Sequence, residues 1–180
     1  MYTVKIESIS RDIPNEVRKS ILKELATYTF PNVSLLQNKD RLRQIFIRYF
    51  KRPTSLRYLK RQLYQEAVYE GIDKVGIASI AWTETNKLHT LGLGRLLLER
   101  GITQCKVNHT KGYIATSWVC RRNLENKVLD VAEILDHTFP GSRILRDNIR
   151  VPQHWNCRHV MAPLDKDLPT LDFHYRKYAR

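Results

Sequence analysis

Chain-breaking residues in the first hundred positions constrain this sequence most. Pro14, Pro31, Pro53, Gly71 and Gly101 cut that region into pieces of helical length, and most of the pieces carry apolar residues at helical spacing. After Pro14, with Asp12 upstream as a candidate cap, Val17, Ile21, Leu22 and Leu25 predict a helix that stops before Pro31. The stretch "FPNVSLLQNKD" reads as a connector. A second helix is expected at 40–51, with Leu42, Ile45, Phe46, Tyr49 and Phe50 on one face and Arg41, Arg48 and Arg52 on another. Past Pro53, Thr54 or Ser55 caps a third helix with a core face of Leu56, Leu59, Leu63 and Ala67, ending at Gly71. A long helix is expected over 73–100, stopped by Gly101. Gly76, Gly92 and Gly94 inside it each cost about 1 kcal/mol relative to Ala, so close packing is their expected return.

The texture changes after Gly101. "ITQCKVN" and "YIATSWV" are β-prone runs separated by "HTKG", which predicts a hairpin. "LENKVLDVAEILDHTF" returns to helical spacing through Leu124, Val128, Val131 or Ala132, and Leu135, and Pro140-Gly141 ends it. "SRILRDNIRVP" and "CRHVMAP" predict two further short strands, and "MYTVKIESIS" at the start another. The expected architecture is α+β: an N-terminal helical region followed by a long helix packed on a small antiparallel β-sheet. The expected division is a basic helical region over 1–71, a helix-plus-sheet module over 72–164 and a basic tail over 165–180.

A formal net charge of +13 and a pI near 9.9 select partners more than they select a fold. Both 1–71 and 72–180 carry more Lys and Arg than Asp and Glu. The densest run is 41–61, where Arg41, Arg43, Arg48, Lys51, Arg52, Arg57, Lys60 and Arg61 occur without one acid. Like charges in that number repel and call for an acidic partner or a polyanion such as DNA. Phe46, Tyr49, Phe50 and Tyr58 interleave with them, but at core spacing, so burial is expected for all four rather than stacking on bases. No apolar run approaches the roughly 18 residues that span a bilayer, and no secretory leader is read at the N-terminus, so a membrane is not expected as partner.

Chemistry-bearing residues concentrate in "PQHWNCRHVMAP". His154, Cys157 and His159 supply the local half of a zinc site, with Cys120 of "SWVCRRN" as a distant ligand and His137 as a candidate fourth. In the alternative, Cys157 is a small buried apolar group and the histidines satisfy backbone groups in a tight loop, and this reading is preferred. Cys105, Cys120 and Cys157 are odd in number and widely spaced, which argues against a disulfide framework. Glu84 lies among Ile80, Ala81 and Trp82, where a carboxylate is expected to bond a neighbouring helix or backbone group.

Taken in order, "IAWTETNKLHTLGLGRLLLERG" and "VPQHWNCRHVMAPL" resemble two signatures of the Mu F-like phage head morphogenesis proteins. The resemblance covers about residues 72–164. Thr83, Glu84 and Thr85 match the family's helix motif; His154, Asn156, Cys157, Arg158 and His159 match its closing motif; Cys120 matches a position that is often cysteine. Trp82 and Trp155 stand where arginine and proline are usual, and Cys120 has no companion cysteine. The resemblance implies a minor capsid protein of the virion, without enzymatic activity, at the portal vertex or head interior. Portal protein, other capsid components and packaged DNA are the implied partners. No cofactor is expected unless zinc binds at the cysteine and histidine positions above. The rival reading is a small basic nuclease or nucleic-acid-binding protein, in which His154 or Glu84 is the general base.

Overall fold

The computed structural model describes residues 13–30, 33, 36–52, 54–71, 76–109, 124, 127–138 and 159–164. In chain order these form α1 (Asn15–Leu25), α2 (Lys39–Lys51), α3 (Leu56–Tyr69), α4 (Ile77–Glu99), β1 (Gln104–His109), β2 (Val128–Asp130), α5 (Val131–Thr138) and β3 (His159–Pro163). The architecture is the expected α+β one: helices mostly N-terminal, with a long helix on a small three-stranded antiparallel sheet. The strand expected within 1–10, the run "YIATSWV" and the run "SRILRDNIRVP" lie outside the described residues.

The first three helices form where their apolar stripes place them. Val17, Ile21 and Leu25 are buried on α1; Leu42, Ile45, Phe46, Tyr49 and Phe50 on α2; Leu56, Leu59, Leu63 and Ala67 on α3. The ends need small corrections. Pro14 stands at the cap position of α1, outside the first turn, and makes no side-chain cap bond. The Asn38 side chain accepts the Arg41 backbone N–H at 3.0 Å, which starts α2 one residue early. Of the two candidates for α3, Ser55 is the cap, accepting the Tyr58 N–H at 3.3 Å.

The long helix runs from Ile77 to Glu99, not from 73. Gly76 has φ +102°, a left-handed backbone that ends helical continuity on its N-terminal side, so it caps the helix from outside. Gly101, at φ +73°, stops the helix as expected. Gly92 and Gly94 do not interrupt it. A Cβ on Gly92 would lie 2.4 Å from Ile21 Cγ1 and 2.8 Å from the Ile21 backbone nitrogen, so the glycine is what lets α1 and α4 approach this closely.

The sheet has the order β2-β1-β3, both pairings antiparallel. Cys105 stands opposite Leu129 on one side and Pro163 on the other. Leu124 is helical as expected, but the helix does not run on through Val128: a strand at Val128–Asp130 intervenes and α5 begins at Val131. Leu129 turns inward, Val128 and Asp130 outward, and the Asp130 carboxylate accepts the Glu133 N–H at 2.9 Å to start α5. The Val131 N–H donates to the Thr103 carbonyl at 2.8 Å, fastening this strand-to-helix step beside β1. "CRHVMAP" supplies β3, as expected, from His159.

One hydrophobic cluster runs from Ile13 and Val17 through α2, α3 and α4 to Leu129, Ile134 and Met161. Helix α4 is its axis. It packs on α1, α3, α5 and β3, and every residue from Ile80 to Gly94 is buried.

Candidate functional site

Two groups of polar residues stand out, one inside the molecule and one outside. The inner group is on α4. Glu84 is wholly buried, as are Thr83, Thr85, Asn86, Lys87, His89 and Thr90 around it. Glu84 Oε2 accepts the Tyr28 hydroxyl at 2.7 Å and Oε1 accepts Lys87 Nζ at 2.8 Å. Where the sequence predicts a bond to a neighbouring helix or backbone group, the partners are side chains: Tyr28, from the chain after α1, and Lys87 of the same helix. Burial first, and then the Glu84 charge and hydrogen bond, push the Tyr28 phenol well above its usual pKa. Asn86 Nδ2 donates to the His159 carbonyl at 2.8 Å, joining α4 to the first residue of β3.

This arrangement is built to hold, not to react. A carboxylate with no exposed surface, bonded by an ammonium and a phenol, is closed to a polymeric substrate. The rival reading that uses Glu84 as a nuclease base therefore fails on access. Cys105 is similarly inert: burial, helped by the Asp130 charge, pushes its thiol up to about 12.

The ligand set Cys120, His154 and Cys157 lies outside the described residues, as do Asn156 and Arg158. His159 is described: it is buried on β3, with its carbonyl held by Asn86. His137 falls on α5, its side chain outside the described set. Among the described residues no group of three or more His, Cys, Asp or Glu is placed to hold a metal ion.

The outer group is the run 41–61, which the fold divides. Arg41 and Arg43 are used internally. Arg41 Nε meets the buried Glu66 carboxylate at 2.5 Å, and its guanidinium lies 5.1 Å from the centre of the Tyr69 ring. Arg43 bonds Asp40 at 2.6 Å and the Tyr28 carbonyl at 3.1 Å. The remaining six, Arg48, Lys51, Arg52, Arg57, Lys60 and Arg61, have no carboxylate partner among the described residues. All six flank a single corner, the end of α2 and the start of α3.

No acid on the neighbouring helices is left to neutralise them. Glu16 pairs with Arg100, Glu24 with Arg95, Glu99 with Lys23, Asp40 with Arg43, Glu66 with Arg41 and Glu84 with Lys87. Glu70 accepts the backbone N–H groups of Gln37 and Asn38, at 2.8 and 3.2 Å. Within α3, Arg57 and Arg61 are four residues apart. Such like-charge spacing destabilises a helix by about 0.2–0.5 kcal/mol per pair. The first turn of α3 has no acid to match its dipole, and Arg57 there opposes it. The start of α3 thus carries a small folding penalty, whereas Arg48 and Lys51, in the last turn of α2, suit the dipole of that helix.

Sequence reasoning missed Lys87, Tyr28 and Glu66. Two had a readable signal: Lys87 is three residues from Glu84 on one helix, and Glu66 falls on the Leu59–Leu63–Ala67 face. Tyr28 had none, because its partner is distant in sequence. One expectation about the aromatics is corrected. Phe46, Tyr49 and Phe50 are buried, but Tyr58 is 41% exposed, because its position on α3 turns toward Arg57 and Arg61 and away from Leu59 and Leu63.

Comparison of the chain with protein-family models, with curated proteins and with solved structures finds no match.

Proposed function

We propose that the chain is a minor structural protein of a tailed-phage head, of the Mu F-like head-morphogenesis kind. In this reading it sits at the portal vertex or inside the head and acts in head assembly, DNA packaging or DNA delivery. One observation carries the proposal. Asn86, beside the Thr83–Glu84–Thr85 motif, bonds the carbonyl of His159, the last residue of the closing motif. Two stretches singled out for their resemblance, and more than seventy residues apart, thus touch. The polar core of α4 gives the first motif a structural role, which suits a component that must hold shape.

The basic corner supplies the contact. Its unpaired cations face packaged DNA or an acidic surface of the portal protein or another capsid component. Among the described residues no helix is long and apolar enough to cross a membrane.

Two experiments test the reading. Phage particles made in cells that express the chain should contain it in low copy, at or near the portal ring. Finding it only in the host soluble fraction overturns the assignment. The purified chain should bind duplex DNA at low salt and lose affinity steeply between about 50 and 200 mM salt, as counterion release requires. Absence of binding at low salt removes DNA from the proposed partners and leaves the acidic protein surface.

A further inference from the structure

We infer that the α2–α3 corner is a single-strand nucleic-acid site, with Tyr58 as a stacking platform between phosphate-binding cations. The inference deepens the DNA-facing half of the proposed function and rests on it. Tyr58 is the one aromatic of the basic run whose ring the fold leaves outside. It is exposed on α3 together with Arg57, its chain neighbour, and Arg61, about one helical turn further along. The end of α2 brings Arg48, Lys51 and Arg52 to the same corner.

A second tyrosine on the helix shows what an occupied ring looks like here. Tyr69, more exposed still, lies under the Arg41 guanidinium at 5.1 Å. Among the described residues Tyr58 has neither a guanidinium over its ring nor a side-chain hydrogen bond. Tyr58 is 41% exposed, and the six cations of the corner have no carboxylate partner among the described residues.

Ligand chemistry follows from that pairing of features. Phosphates every few ångströms satisfy the cations in either form of DNA. Only an unpaired base offers an open π-face to a ring on a convex helix corner; bases in a duplex are stacked and show their edges alone. An acidic protein would satisfy the charges too. Such a partner finds little beyond Tyr58 to anchor it here, since the other large apolar side chains that α3 exposes among the described residues, Val68 and Tyr69, lie at its far end.

The test uses the full chain and fluorescence anisotropy at about 50 mM salt. The probes are an oligothymidylate of about fifteen nucleotides, a duplex of equal length and poly-L-glutamate. Tyr58→Ala should weaken binding to the single strand about tenfold and leave duplex binding within about twofold, while Tyr58→Phe binds as the parent does. Arg57→Gln with Arg61→Gln should weaken both nucleic acids. Circular dichroism and thermal unfolding establish that each variant is folded. If Tyr58→Ala changes single-strand and duplex binding alike, or neither, the inference is overturned while the DNA-facing reading stands. If poly-L-glutamate binds more tightly than either nucleic acid, the corner is an acidic-protein contact and the inference is overturned. If no nucleic acid binds, both the inference and the DNA half of the proposed function fall.

Discussion

Helix α4 and the α2–α3 pair spend their polar residues in opposite ways. On α2 and α3 an apolar stripe faces the core, and Arg48, Lys51, Arg52, Arg57, Lys60 and Arg61 at their corner have no carboxylate partner among the described residues. On α4 the polar residues are inside, and each described contact of Glu84, Lys87 and Asn86 has a defined geometry. The difference separates two kinds of necessity. A buried polar residue is fixed by its partners, because losing one leaves the other desolvated and unpaired. A surface cation is fixed by nothing in the fold, so a dense set of them points outward to a ligand.

Substitutions sharpen the contrast in graded order. Lys87→Ala should destabilise the fold most, by about 3–5 kcal/mol, because it strands the Glu84 carboxylate in the core. Pairing Lys87→Met with Glu84→Leu should recover most of that loss in chemical denaturation; additive effects would refute the buried pair. Gly92→Ala should cost about 2 kcal/mol, since its Cβ meets Ile21 backbone atoms, against about 1 kcal/mol regained in helix propensity. Gly94→Ala meets only the Leu135 side chain, at 2.8 Å, and should be close to neutral in the same assay. Arg41→Ala should cost about 1–2 kcal/mol, less than Lys87→Ala because half of the Arg41 side chain is in water and screened. Changing Arg48, Lys51, Arg52, Arg57, Lys60 and Arg61 together to Gln should leave the midpoint of unfolding unchanged or slightly raised while abolishing DNA binding. A large loss of stability there would collapse the distinction between the two regions.

The inner region also has a pH signature. The phenol of Tyr28 and the thiol of Cys105 have folded-state pKa values raised above their unfolded ones, the thiol to about 12. Their contribution is complete below about pH 8.5–10, the unfolded range, and is lost as pH rises through and above it. Thermal unfolding followed from pH 8 upward should show a falling midpoint, and Cys105 should react with thiol reagents only on the unfolding timescale.

Much of the helical fold was legible in the sequence because its apolar stripes are one-sided. Leu42 to Phe50 and Leu56 to Ala67 announce both the element and its buried face. The interior of α4 was not legible in that way. A helix covered on every side has no polar face to reveal its orientation, so the partners of Glu84, Lys87 and Asn86 stay hidden until their neighbours are known. Val128 misled for a different reason. Its distance from Val131 and Leu135 fits a helix, but hydrogen bonding of Val128–Asp130 to β1 overrides that local pattern. Tyr58 was misassigned because core spacing was extended from α2 into α3, where the stripe restarts after Pro53 with a new phase.

The sheet has a consequence for how the molecule assembles during synthesis. Its middle strand, β1, must wait for β3, whose Pro163 stands opposite Cys105. Packing between α1 and α4, across Gly92, needs nothing beyond Glu99. A nascent chain emerging from the ribosome can therefore consolidate its helical half while β1 still has an open edge, and that edge closes only when a segment more than fifty residues downstream arrives.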